Sequence, residues 1–146
     1  MPSLKREDYM ENNLKLFLKE NRVKKENVFY AASESMVDDN GGAVDWELRC
    51  VTTDEDEKIR EDCLRDAKRG VRLDYNLYLK KLAVASVVYP PLDNAHLQDS
   101  YGVHSPEELL TKLLDNPGEY QEFLKLVQRV NGFDVSMKER VEKAKN

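Results

Sequence analysis

Residues 82–91 read LAVASVVYPP, and this stretch constrains the fold more than any other in the chain. The first eight residues form the longest nearly apolar run in the sequence. A segment apolar on almost every side belongs at the centre of the core, because any exposed face would leave hydrocarbon in water. Asp74 is placed to cap a helix running from Tyr75 to about Tyr89. A buried strand over 82–89 is the alternative, since periodicity does not separate helix from strand over so short a run. Pro90 and Pro91 end the element in either case, because proline pushes its predecessor out of the α region.

The remaining elements have to cover this centre. Met10, Leu14, Phe17 and Leu18 recur at helical spacing and predict a helix over 7–21. Residues 28–33, VFYAAS, open with β-formers. The stretch AVDWELRCV alternates strictly, with Val44, Trp46, Leu48 and Cys50 on one face and Asp45, Glu47 and Arg49 on the other. DDNGG between the two supplies turn chemistry, so the pair reads as a hairpin that needs helices over its apolar face. Thr52 and Glu55 form a capping box for a helix expected to run to about Arg69. Its thin stripe is Ile59, Cys63, Leu64 and Ala67. Acids in its first turn and Lys68 and Arg69 in its last suit the helix dipole, and Gly70 stops it.

The C-terminal third carries three start signals. Ser105-Pro106 with Glu108, Asn116-Pro117 with Glu119, and Ser136 with Glu139 each open a helix. Leu109, Leu110, Leu113 and Leu114 form the apolar face of the first. Tyr120, Phe123, Leu124, Val127 and Val130 form that of the second, which Gly132 stops. Met137, Val141 and Ala144 belong to the third. The expected architecture is α+β, mainly α-helical: an N-terminal helix and β-hairpin followed by a bundle of about five short-to-medium helices. Residues 1–146 contain no repeat or linker and read as a single domain, of a length that supports one sizeable core.

Charge narrows the function classes. The net charge is −5 and the pI about 5.2, which disfavours phosphate backbones and anionic membranes as partners. No stretch is long and apolar enough to span a bilayer, and MPSLKREDYMENN lacks the apolar region of a signal peptide, so a soluble cytoplasmic protein is expected. Cys50 and Cys63 lie in no metal-binding spacing and read as small buried hydrophobes. His96 and His104 read as solvent-facing loop residues rather than metal ligands, and DDNGG lacks the ligand pattern of a calcium loop. The acids at 54–57 sit on an exposed helix start, with nothing to raise a carboxyl pKa for catalysis. No catalytic, cofactor-binding or metal site is expected.

More suggestive are Tyr89, Leu92, Leu97 and Tyr101, large apolar groups in or beside a short connector. Packed inward they seal the central helix against the C-terminal ones; left exposed they form a patch for a protein partner. Asp93 is available to cap a short turn there.

The series ASVVYP, LQDSYGV, EELL…LL, PGEY and VNGFD, in this order and spacing, resembles the XkdN-like phage tail assembly chaperones. The likeness covers about Asp74 to Asp134 closely, and extends more loosely to FLKENRV and VTTDEDEKIRED. Pro91 and His96 stand where that family commonly carries polar or acidic residues. The resemblance implies a non-enzymatic assembly factor of the bacterial host cytoplasm, absent from the mature virion. It would bind the tape measure protein and help tail tube subunits assemble around it. Tail chaperones are often made in two lengths by ribosomal frameshifting, which the protein sequence does not reveal. Homo-oligomerisation is compatible with the reading. The alternative is a small acidic regulatory factor, antitoxin-like or a DNA mimic, whose binding would weaken strongly with salt.

Overall fold

The computed structural model describes residues 6–133. Helix α1 (Arg6–Leu14) passes into two 3-10 turns, Lys15–Phe17 and Lys19–Asn21. The single helix expected over 7–21 is therefore broken after Leu14. Leu18 is extended (φ −65°, ψ 146°), and Met10, Leu14, Phe17 and Leu18 all face solvent. Without a core to receive that stripe, nothing holds the helix together at Leu18.

Strands β1 (Val28–Tyr30) and β2 (Trp46–Leu48) form the expected antiparallel hairpin, with Val28 opposite Leu48, Phe29 opposite Glu47 and Tyr30 opposite Trp46. β1 is shorter than the six residues read as strand. The intervening loop is closed by Asp38, whose carboxylate accepts from the amides of Asn40 (2.9 Å) and Gly42 (3.0 Å), with Gly41 at φ +82°. Trp46 and Leu48 are buried as the alternation requires, while Cys50 is only half-buried.

Helix α2 (Thr53–Asp62) starts on the Thr52–Glu55 capping box, with both reciprocal bonds present. It ends seven residues before Arg69. Residues beyond Cys63 instead form a second hairpin, β3 (Leu64–Ala67) with β4 (Gly70–Leu73), turning through Lys68 and Arg69. Leu64 and Ala67 are thus exposed strand residues, not part of a buried helical stripe, and Lys68 and Arg69 cap no helix. Of that stripe, Cys63 is buried and Ile59 half-buried against the core, and the Cys63 carbonyl accepts from the Asp74 amide at 2.8 Å, closing the hairpin's base. Burial raises the Cys63 thiol pKa.

The central run proves to be both alternatives in succession. Helix α3 (Tyr75–Ser86), capped by Asp74, buries Tyr78, Leu82, Ala83 and Ser86. Residues Val87–Tyr89 then become β5, which completes a sheet of order β1-β2-β5. The switch has local causes. Val87 and Val88 are β-branched, Tyr89 precedes a proline, and the Ser86 carbonyl accepts from the Arg49 amide (2.8 Å) of the β2 exit. Glu47 pairs with Tyr89 but Leu48 with Val87, so Val88 is an extra, bulged residue. The Tyr89–Pro90 peptide is cis.

Three further helices close the core: α4 (Ala95–Ser100), α5 (Pro106–Leu113) and α6 (Pro117–Val130). The expected connector is itself helical as α4, and its cap is Asn94 rather than Asp93. α5 and α6 begin where their signals place them, on Ser105 and Asn116. The helix expected from Ser136 lies outside the described residues. β2, α3, α5 and α6 meet around Trp46, Leu48, Leu82, Leu109, Leu110, Phe123 and Val127. Trp46 meets Phe123 edge to face at 5.2 Å, a pair worth about 0.5–1.5 kcal/mol beyond its burial.

Candidate functional site

The four connector residues divide. Leu92 is buried and Leu97 half-buried against the core, whereas Tyr89 and Tyr101 remain exposed. LQDSYGV is the stop of α4. The Val103 amide donates to the Gln98 carbonyl and the Gly102 amide to that of Asp99, both at 3.1 Å, with Gly102 at φ +66°. This is a Schellman closure, sealed by the buried side chain of Val103. Gln98 also reaches back, its amide donating to the Leu92 carbonyl at 2.8 Å. The segment is pinned at both ends, so Tyr101 is presented on a rigid corner.

VNGFD builds the same device at the end of α6. Phe133 donates to the Gln128 carbonyl and Gly132 to that of Arg129, each at 2.9 Å, with Gly132 at φ +83°. Asn131 adds a tertiary tie. Its side-chain oxygen accepts from the Val51 amide (2.9 Å), while its nitrogen donates to Ser86 Oγ (3.0 Å) and the Val127 carbonyl (2.8 Å). Glu119 of PGEY performs another: its carboxylate accepts from Ser33 Oγ (2.9 Å) and the Glu34 amide (2.9 Å), docking the exit of β1 on the start of α6. Neither tie is legible in the sequence, because both partners lie far away along the chain.

The outer face of the sheet presents different chemistry. The register sets Phe29, Glu47 and Tyr89 in one row across β1, β2 and β5. Phe29 is 65% and Tyr89 53% exposed, and Val88 beside them is exposed as well. Glu47 lies between the two aromatic rings' strands, with one carboxylate oxygen accepting from Asn27 at 2.8 Å. The row exposes two large rigid aromatic groups, the kind of residue that anchors protein interfaces, on either side of a carboxylate. Sequence reasoning found Tyr89 but not its two neighbours. The alternation that buries Val28 and Tyr30's strand partners puts Phe29 outward, and only the late switch of Val87–Tyr89 to strand completes the row.

Ionisable groups elsewhere form structural ties. Arg49 and Glu55 pair at 2.6 Å, and the guanidinium holds the Glu55 carboxyl down at about 2, assisted by the Thr52 amide. Arg60 bonds Asp56 (2.9 Å) and the Tyr78 hydroxyl (3.2 Å) and stacks 4.5 Å from the Tyr78 ring centroid; Tyr78 also donates to Asp56. Burial, followed by the Asp56 hydrogen bond, pushes the Tyr78 phenol up to about 12. His96 and His104 are both exposed. Among the described residues no cluster of three His, Cys, Asp or Glu side chains could hold a metal ion. A shallow cleft of about 360 Å³ lies between Tyr30 and the Glu122–Arg129 face of α6. No described helix is long and apolar enough to cross a membrane.

Comparison with known proteins agrees with this architecture. The family described as phage XkdN-like tail assembly chaperone protein matches residues 14–145. YqbN of Bacillus subtilis (strain 168), carrying the description uncharacterized protein, is 28% identical over 139 residues, covering 92% of this chain and 93% of that one. The phage-like element PBSX protein XkdN of the same organism is 24% identical over 139 residues, covering 92% and 94%. The crystal structure of YqbN superposes with a TM-score of 0.72 at 26% identity, covering 82% of this chain and 95% of that one.

Proposed function

The chain belongs to the XkdN-like phage tail assembly chaperone family, and from that premise we propose that it binds the tape measure protein and assists tail tube assembly around it. The observation that carries the reading is the family match, which spans nearly the whole chain. The work is binding, without catalysis, and takes place in the bacterial host cytoplasm before the virion is complete.

Two physical features support it. The exposed aromatic row offers large, rigid apolar groups of the kind that anchor protein interfaces. The net charge of −5 keeps a chaperone and an apolar client dispersed by mutual repulsion of the loaded complexes. Tyr89 and Tyr101 are the candidate client contacts; Leu92 and Leu97 hold the corner that presents them.

Co-expression with the tape measure protein of the same tail operon, followed by affinity purification through this chain, tests the proposal. The tape measure protein should co-purify and remain bound as salt is raised, because the contact is apolar. Recovery of the chain alone, or a complex lost at moderate salt, would refute it.

A further inference from the structure

The N-terminal arm and the outer sheet face both expose large apolar groups, and their chemistry is complementary. We propose that residues 14–25 of one copy dock on the Phe29–Glu47–Tyr89 face of a second copy of this chain. In that pairing Phe17 and Leu18 lie against the aromatic rings, and Lys15 and Lys19 lie beside Glu47.

Three observations support the pairing. Leu14, Leu16, Phe17 and Leu18 are all exposed, Phe17 by 83%, in a run where four of five residues are large and apolar. Such a run in water is costly unless something covers it. Around it, residues 15–25 hold Lys15, Lys19, Arg22, Lys24 and Lys25 against Glu20 alone, a net +4 in a chain whose total is −5. The rest of the chain therefore carries −9, and a basic apolar arm is attracted to it.

The receiving face matches. Phe29, Val88 and Tyr89 are exposed apolar groups, and Glu47 is a carboxylate among them. Its hydrogen bond from Asn27 uses one oxygen, and a carboxylate accepts about four in all, so ammonium groups can still be received. A chain's own arm does not cover its own face, because Phe17, Phe29 and Tyr89 are exposed together in the same molecule. Arg22 continues the arm in extended backbone (φ −74°, ψ 130°). A second copy supplies both halves again, so the exchange is reciprocal and closes as a two-fold dimer. Using two arms doubles the contact, which moves it toward the roughly 1,600 Å² of a stable interface.

Light scattering across a concentration series tests this. The wild-type chain should show a mass rising from monomer to dimer, at a concentration that increases moderately with salt. Phe17→Asp should weaken dimerisation at least about tenfold while leaving circular dichroism, and melting at concentrations where both proteins are monomeric, unchanged, since the side chain touches no core. Glu47→Lys alone and Lys15→Glu/Lys19→Glu together should each favour the monomer, and mixing the two variants should restore a mixed dimer. Should Glu47→Lys disturb folding, the two arm variants still decide the matter, as they lie outside the core. A wild type that stays monomeric at every concentration overturns the proposal, as does a dimer indifferent to Phe17→Asp. A monomer whose melting falls on Phe17→Asp also overturns it, because the arm would then cover its own chain. Tyr89 serves both contacts, so a bound client would displace the arm from that ring; loss of tape measure co-purification with dimerisation intact would sink the proposed function alone.

Discussion

Asn131 offers the sharpest test of how this fold is held. The Val51 amide can only donate and the Val127 carbonyl can only accept, so the orientation of the Asn131 side chain between them is fixed. Ser86 spends its single hydroxyl hydrogen on the Leu82 carbonyl (2.8 Å), which leaves its oxygen to accept from Asn131. Asn131→Ala removes three hydrogen bonds. Each is worth about 1 kcal/mol net, and stranding a partly buried Val51 amide adds part of a desolvation cost, for about 2–4 kcal/mol in all. Chemical denaturation should show that loss, and Tm should fall by about 5–15 °C. Asn131→Asp is nearly isosteric, yet places an oxygen against the Val127 carbonyl and the Ser86 lone pair. It should be at least as damaging at neutral pH. Its carboxyl would bind a proton more tightly folded than unfolded, so the deficit should shrink as pH falls. An Asn131→Ala variant within about 0.5 kcal/mol of wild type would refute the claim that this amide ties α6, α3 and the β2–α2 connection together.

Other consequences follow from the same contacts. Leu97→Ala should cost about 1–3 kcal/mol in denaturant because the side chain is half-buried on the core, whereas Tyr101→Ala should change stability by under about 0.5 kcal/mol and instead weaken client binding. Glu119→Ala should cost about 1–3 kcal/mol by freeing Ser33 and the Glu34 amide, read by thermal melting. The Glu55 carboxyl, held at about 2, binds its proton less tightly folded than unfolded, so its stabilisation is present above about pH 4.5 and lost as pH falls toward 2. With its side chain 39% exposed, solvent screening limits that loss to about 1 kcal/mol, which Glu55→Gln should abolish from the acid titration. Tyr78, pushed up to about 12, binds its proton more tightly folded, so its contribution is complete below pH 10 and disappears as pH rises toward 12; Tyr78→Phe should remove that alkaline limb.

Much of the architecture was legible where one local rule acts alone. Thr52, Asp74, Ser105 and Asn116 all cap the helices their side chains announce, and Trp46 and Leu48 take the face that alternation assigns them. Failures came where two local patterns compete. LRDAKRGVRL keeps a helical stripe through Ala67, but Val71 and Leu73 beyond the Lys-Arg-Gly turn favour cross-strand pairing, and Gly70 adopts φ +105°. LAVASVVY splits at Ser86 because Arg49, distant in sequence, claims the carbonyl there. That long-range bond acts together with β-branched Val87 and Val88 and with Pro90, and periodicity alone does not reveal it. The arm broke because its stripe had no core to meet, which periodicity cannot report. Of the candidate surface, Tyr89 and Tyr101 were visible as aromatics in a connector, but the row with Phe29 and Glu47 depends on a strand register that no local signal specifies.

Solubility of the tape measure protein, expressed with and without this chain and separated by sedimentation, shows whether the chain keeps this client dispersed. The tape measure protein should sediment when made alone and stay in the supernatant, bound to this chain, when the two are made together. Tyr89→Asp with Tyr101→Asp, both on the surface, should return it to the pellet while leaving this chain folded. A tape measure protein whose solubility is the same with and without the chain would contradict the proposed function.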